Sequence, residues 1–190
     1  MELPVTAVYD ANVLYSAPLR DLLIRLAMAG LVRARWTDSI HEEWMRNLAL
    51  NHPNVTCEKA ARVRDLMNVN VRDCLVTGYE SLTESLTLPD PDDRHVLAAA
   101  IHSGAEAIIT LNLKDFPHNT LASYGIAALH PDEFVTRLID TAPDVVCMAL
   151  KRQREGLRSP AKTAAELLVT FERQGLVQSV ARLKQLVDLL

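Results

Sequence analysis

Val5-Thr-Ala-Val-Tyr-Asp10 is a short apolar run that ends abruptly in a carboxylate. Five residues of this kind, rich in β-branched and aromatic side chains, predict a buried strand over Val5–Tyr9. A carboxylate just past the carboxyl end of a buried strand lies where open α/β sheets place their active sites. Working outward, Val32–Trp36 and Ala107–Thr110 read as further strands, Gly125–Leu129 as an edge strand, and Val69–Val76 as containing another. Helical patterns separate them. Pro18 opens an amphipathic stretch that Gly30 stops, and Thr37-Asp-Ser supplies capping oxygens to a helix through Ile40, Glu43, Trp44 and Leu48. A third helix is expected over Glu58–Met67, and Asp92-Asp-Arg-His-Val-Leu-Ala-Ala-Ala-Ile-His-Ser-Gly104 reads as a capped helix with a glycine terminator. Strands alternating with helices predict an α/β fold, a parallel sheet sandwiched by helices.

From Pro131 the pattern turns wholly helical, with stretches expected over Asp132–Asp140, Asp144–Glu155, Lys162–Arg173 and Leu176–Leu190. The expected division is a domain of residues 1–130 and a C-terminal helical extension of residues 131–190. The extension is below the usual size of a self-sufficient core, so it should pack on the main domain or on a partner.

Composition narrows the function classes. Hydrophobic residues make up 49% and charged residues 23%, as in soluble globular proteins. Aromatics at 5% argue against a base-stacking surface for single strands. Net charge is −4, unpromising for bulk electrostatic binding to nucleic acid. That acidity lies in front: 11 Lys and Arg meet 16 Asp and Glu up to residue 130, against 9 and 8 beyond it. Bound divalent ions would offset it. Three cysteines without CxxC spacing indicate neither a zinc site nor a disulfide framework. No signal segment or stretch of transmembrane length is read, so the expectation is a cytoplasmic protein with no membrane role.

Four carboxylates carry the functional argument: Asp10, Glu43, Asp93 and Asp115. Asp10 and Asp115 follow buried strands, Asp93 starts the Ala-rich helix, and Glu43 lies on the apolar side of its own helix. Each has an ordinary structural explanation as a turn or cap residue. Convergence on one sheet edge does not, because clustered carboxylates repel each other unless a cation joins them. Oxygen-only ligands suit Mg²⁺ or Mn²⁺, one or two ions, and such ions cleave phosphodiesters. Glu42 competes with Glu43 and Asp92 with Asp93, each by one residue. None of the six histidines forms a ligand motif, although His95 lies beside the cluster.

Four segments in order, Val8-Tyr-Asp-Ala-Asn-Val-Leu-Tyr-Ser, Ser39-Ile-His-Glu-Glu-Trp, Asp90-Pro-Asp-Asp-Arg-His-Val-Leu-Ala-Ala-Ala and Ile109-Thr-Leu-Asn-Leu-Lys-Asp-Phe, resemble a PIN-domain ribonuclease. The kind resembled is the VapC toxin of bacterial toxin–antitoxin pairs, over about residues 5–130. The resemblance implies a metal-dependent endoribonuclease whose acidic quartet falls on Asp10, Glu43, Asp93 and Asp115. Asn12, Ser16 and Thr110 match supporting polar positions. Asn112 is a departure, since many relatives carry an acidic residue there. The resemblance further implies an RNA substrate, a cognate antitoxin, homodimerisation, and products with 5′-phosphate and 3′-hydroxyl ends. Arg20, Arg46 and Arg94 are candidates for the RNA backbone. Three other readings stand beside this one, and in one of them the helical extension after Pro131 is the functional part, a protein-docking module. A PIN-like module could bind RNA or protein without cutting, and a haloacid-dehalogenase-type phosphatase would need an Asp where Asn12 stands.

Overall fold

A computed structural model of the chain describes residues 3–52 and 54–190. Its centre is a parallel four-stranded sheet of β1 (Val5–Tyr9), β2 (Val32–Arg35), β3 (Ala107–Ile109) and β4 (Ala127–Leu129), in the order β2-β1-β3-β4. The register sets Val8 beside Arg35 on one flank and beside Ile108 on the other. All five residues of β1 are buried, as expected of a central strand covered on both faces. Because β1 and β3 are neighbours, their carboxyl ends bring Asp10 and Thr110 together. The Asp10 amide donates to the Ile109 carbonyl, and the Thr110 amide to that of Leu129.

Helices fill the connections. α1 (Ala11–Tyr15) and α2 (Ala17–Met28) follow β1, then α3 (Asp38–Asn51) and α4 (Cys57–Asn70) follow β2. A short α5 (Glu80–Thr83), a 3-10 turn (Pro91–Asp93) and α6 (Arg94–His102) lead to β3. A second 3-10 turn (Leu113–Asp115) and α7 (His118–Ala122) lead to β4. The extension holds α8 (Pro131–Thr141), α9 (Pro143–Gly156), α10 (Ala164–Arg173), α11 (Val177–Lys184) and a closing 3-10 turn (Val187–Leu189).

Two expectations are corrected here. No strand forms within Val69–Val76, where one was expected: α4 runs on to Asn70, and Val69 is 83% exposed. The apolar positions Ala60, Val63 and Met67 keep a helical spacing, and Val71 only caps its end. What survives is an isolated parallel bridge between Trp36 and Leu75. The last helix ends at Lys184 rather than continuing to Leu190. α1 is an addition, one turn whose first amide, Ala11 N–H, is capped by the Asp10 side chain.

The extension packs on the main domain. Phe134 of α8 meets Tyr9 of β1 edge-on, ring centroids 6.5 Å apart. Gln153 of α9 donates to the Pro18 carbonyl at 3.0 Å, and Gln174 after α10 pairs with Ser16. Asp132 fastens the extension to itself, accepting from the Gln178 and Ser179 amides at 2.9 and 2.8 Å at the start of α11. No helix among the described residues is long and apolar enough to cross a membrane.

Candidate functional site

Asp10 is the anchor of the site, and three donors hold its side chain. One oxygen accepts from the Ala11 amide at 2.7 Å; the other accepts from Asn12 Nδ2 at 2.5 Å and from the Thr110 hydroxyl at 2.7 Å. Asn12 is held in turn, since its Oδ1 accepts from the Leu111 amide at 2.9 Å and its Nδ2 also reaches Thr110 Oγ1 at 2.9 Å. Thr110 Oγ1 accepts the Asn112 amide at 3.0 Å. The ends of β1 and β3 are therefore joined by one polar network around a nearly inaccessible carboxylate.

Asp93 and Asp115 approach from the two 3-10 turns. Their carboxylate oxygens and one from Asp90 all lie within 4.8 Å of one another. Asp92 is exposed and stands outside this group, so the turn presents Asp93 inward and Asp92 to solvent. Asn112 donates its side-chain amide to Asp115. Glu43 is half-buried on α3, with its carboxylate 3.7 Å from His95 Nε2, whereas Glu42 is exposed.

Electrostatics show that these groups share one field. Burial raises the pKa of Asp10 above the ordinary carboxylate range, against the Thr110 hydrogen bond, which lowers it; the nearby Glu43 charge raises it further. Asp93 is pushed up to about 7, first by burial and then by the charges of Asp10, Asp90, Asp115 and Glu43. Among the described residues no Lys or Arg forms a salt bridge with Asp10, Asp90, Asp93 or Asp115. Carboxylates crowded together with no Lys or Arg counter-ion, and only His95 beside Glu43, form a donor set that fits a hard divalent cation.

Other expected residues lie elsewhere or face inward. The Ser16 hydroxyl pairs with Gln174 of the extension. Arg20 lies over the Trp44 ring at 4.9 Å and donates to the Leu14 and Tyr15 carbonyls, which makes it a brace between α2 and α3. Arg46 is exposed on α3. Arg94 is half-buried beside Asp93, its Nε buried without a hydrogen-bond partner among the described residues. Asp90 stands in the sequence within the Asp90-Pro-Asp-Asp segment, without a functional reading of its own. Its signal was the flanking prolines, which fix the turn that carries it. A cavity of about 510 Å³ lies away from the acidic edge, lined by apolar side chains of α2, α4 and the extension, including Ile24, Met67 and Leu167. None of the acidic cluster lines it.

This topology and carboxylate placement define a class, and comparison agrees. The family model described as PIN domain matches residues 6–114, and the chain belongs to that family. A second family model, described as VapC50 C-terminal domain, matches residues 131–185. The chain is 39% identical over 82 residues to a candidate ribonuclease named VapC50 from Mycobacterium tuberculosis (strain ATCC 25618 / H37Rv). That alignment covers 43% of this chain and 48% of the relative, so the chain spans about half the length of the curated relative it matches. No solved structure gives a match.

Proposed function

We propose that the protein is a metal-dependent endoribonuclease of the VapC type, the toxin of a toxin–antitoxin pair. The observation that carries the reading is the gathering of Asp10, Glu43, Asp93 and Asp115 from four separate segments onto the carboxyl edge of one parallel sheet. Under this reading these four residues hold one or two Mg²⁺ or Mn²⁺ ions. The cation, when bound, supplies positive charge for the scissile phosphate and acidity for an attacking water.

The chain's own residues set the geometry. Asp10 cannot turn away, because the Ala11 amide, Asn12 and Thr110 each fix one of its lone pairs. Asn112 and the second 3-10 turn orient Asp115. His95 lies against Glu43 and steadies its carboxylate toward the cluster. Asp93 sits near half-protonation at neutral pH in the free protein, so cation binding displaces a proton there. Arg46 and Arg94 are the remaining candidates for the RNA backbone, and Ser16 supports the site indirectly through its place at the α1–α2 junction. Residues 1–130 form the nuclease domain and residues 131–190 its helical extension. A cognate antitoxin, homodimerisation and a cytoplasmic setting complete the proposal.

Expression in a bacterial host tests it. The reading predicts growth arrest with cellular RNA fragments bearing 5′-phosphate ends, relieved by co-expression of the antitoxin. Unimpaired growth with soluble, folded wild type would contradict the toxin reading.

A further inference from the structure

We propose that the cleft between the PIN domain and its C-terminal helices binds a small anionic amphiphile, an alkyl chain carrying one carboxylate. The cleft measures about 510 Å³ and is walled by α2, α4, α9 and α10, with none of the acidic cluster on its wall. Sites for small organic ligands span about 300–1,000 Å³, so the size fits.

Its wall suits an apolar chain. Ile24, Met67 and Leu167 are buried around it, Leu157 is half-buried, and Met28 and Leu66 remain 55% and 53% exposed along it. Side chains of that size left in water forgo the stabilisation of burial, and an alkyl chain laid against them recovers it. The wall is also preformed. Gln153 ties α9 to α2 through the Pro18 carbonyl at 3.0 Å, and both residues line the cleft.

Charge selects the head group. Three cations stand on the wall, Arg20, Arg25 and Lys162, against one carboxylate, Asp21. Arg25 pairs with Asp21 at 3.0 Å. Arg20 is occupied by the Trp44 ring and by the Leu14 and Tyr15 carbonyls. Lys162 is half-buried and forms no salt bridge among the described residues. It donates to the Thr170 hydroxyl at 2.6 Å, also on the wall, and an ammonium has further N–H groups to offer a ligand. The Glu166 carboxylate, which feels the Lys162 charge, is held instead by the Thr163 amide and hydroxyl at 2.8 and 2.9 Å. One unpaired ammonium beside an apolar wall matches a single carboxylate on an alkyl chain better than a doubly charged phosphate or a neutral alcohol.

The probes are decanoate, octanoate and decanol, each below micelle formation. They are titrated by calorimetry into full-length wild type, Lys162→Met and Leu66→Trp, with thermal unfolding in parallel. Lys162→Met keeps the stem and removes the charge, and Leu66→Trp fills the cleft from a position exposed enough to spare folding. Wild type should bind decanoate saturably and about tenfold more tightly than octanoate, because two more methylenes are buried. Bound decanoate should raise the melting temperature. Lys162→Met should weaken decanoate about tenfold and leave decanol unchanged, whereas Leu66→Trp should weaken both. No saturable binding by folded wild type, or uptake equal in all three proteins, would overturn the proposal. A dimer that Leu66→Trp splits and decanoate leaves intact would give the cleft to a second copy. A co-expressed antitoxin that Leu66→Trp releases and decanoate does not would give it to a partner helix. Either of these results overturns the proposal as well.

Discussion

Around Asp10, the Thr110 hydroxyl donates to the carboxylate while accepting from Asn12 and from the Asn112 amide. Thr110→Val keeps the shape and removes the hydroxyl. It takes an acceptor from the half-buried Asn112 amide and a donor from the buried Asp10 carboxylate, so it should cost about 1–3 kcal/mol in urea unfolding and lower cleavage together with stability. Asp93 gives a pH signature. Its folded pKa of about 7 lies above the ordinary aspartate value of 3.8, so the metal-free protein binds more protons folded than unfolded between these values. Stability without metal should therefore be greatest at acid pH and fall as pH rises from about 4 to 7. Asp93→Asn should flatten that decline in thermal unfolding, and Mg²⁺ should restore stability at pH 7. Legibility was uneven at this scale. Asp10 announced itself by ending an apolar run. Arg20 resembled a surface arginine because nothing in its neighbours shows that Trp44, distant in sequence, lies beneath it.

At the scale of elements, α3 must present Glu43 to the sheet edge, and α4 holds it there. Asn68 Oδ1 of α4 accepts from Trp36 Nε1 at 2.8 Å and bonds His41 Nε2 at 3.0 Å, while Trp44 Nε1 donates to His41 Nδ1 at 2.9 Å. His41 and Trp44 flank Glu43 on α3. That last bond makes Nδ1 the acceptor and leaves Nε2 to carry the proton to Asn68. Asn68→Ala strips the acceptor from two buried donors and should destabilise by about 2–3 kcal/mol in chemical unfolding. It should also reduce cleavage in the fraction that remains folded, because α3 loses its register. Sheet and helix periodicities located β1, β2, β3, β4, α2, α3 and α6 well. They failed over Val69–Val76, where alternating valines mimic a strand while the true pattern is the helical face of Ala60, Val63 and Met67. Only the pairing of Leu75 with Trp36 preserves a trace of a fifth strand, and pairing across the fold cannot be seen in local sequence.

Taken whole, the molecule is a PIN domain with its C-terminal helices packed against it. Phe134, Val146, Leu150, Leu168 and Phe171 of the extension are buried, and they cover apolar surface on the main domain and on one another. A chain ending after residue 130 should expose the Tyr9 edge and the α2 face and aggregate on expression, which a solubility assay reads directly. Asp132→Ala is the milder probe: it frees the start of α11 from α8 and should cost about 3 kcal/mol while sparing the acidic edge. The change to all-helical pattern at Pro131 was plain in the sequence. Where the extension docks was not, since contacts such as Gln153 with Pro18 and Gln174 with Ser16 join residues far apart in the chain.

The account stands or falls on whether the gathered carboxylates hold a cation that cuts RNA. Purified wild type and Asp10→Asn, each shown to be folded, are incubated with total cellular RNA in Mg²⁺, in Mn²⁺ and in EDTA. The account predicts cleavage by wild type with either metal, none in EDTA, and a loss of at least about 100-fold in Asp10→Asn. Cleavage that persists in EDTA, or that survives intact in Asp10→Asn, would contradict it.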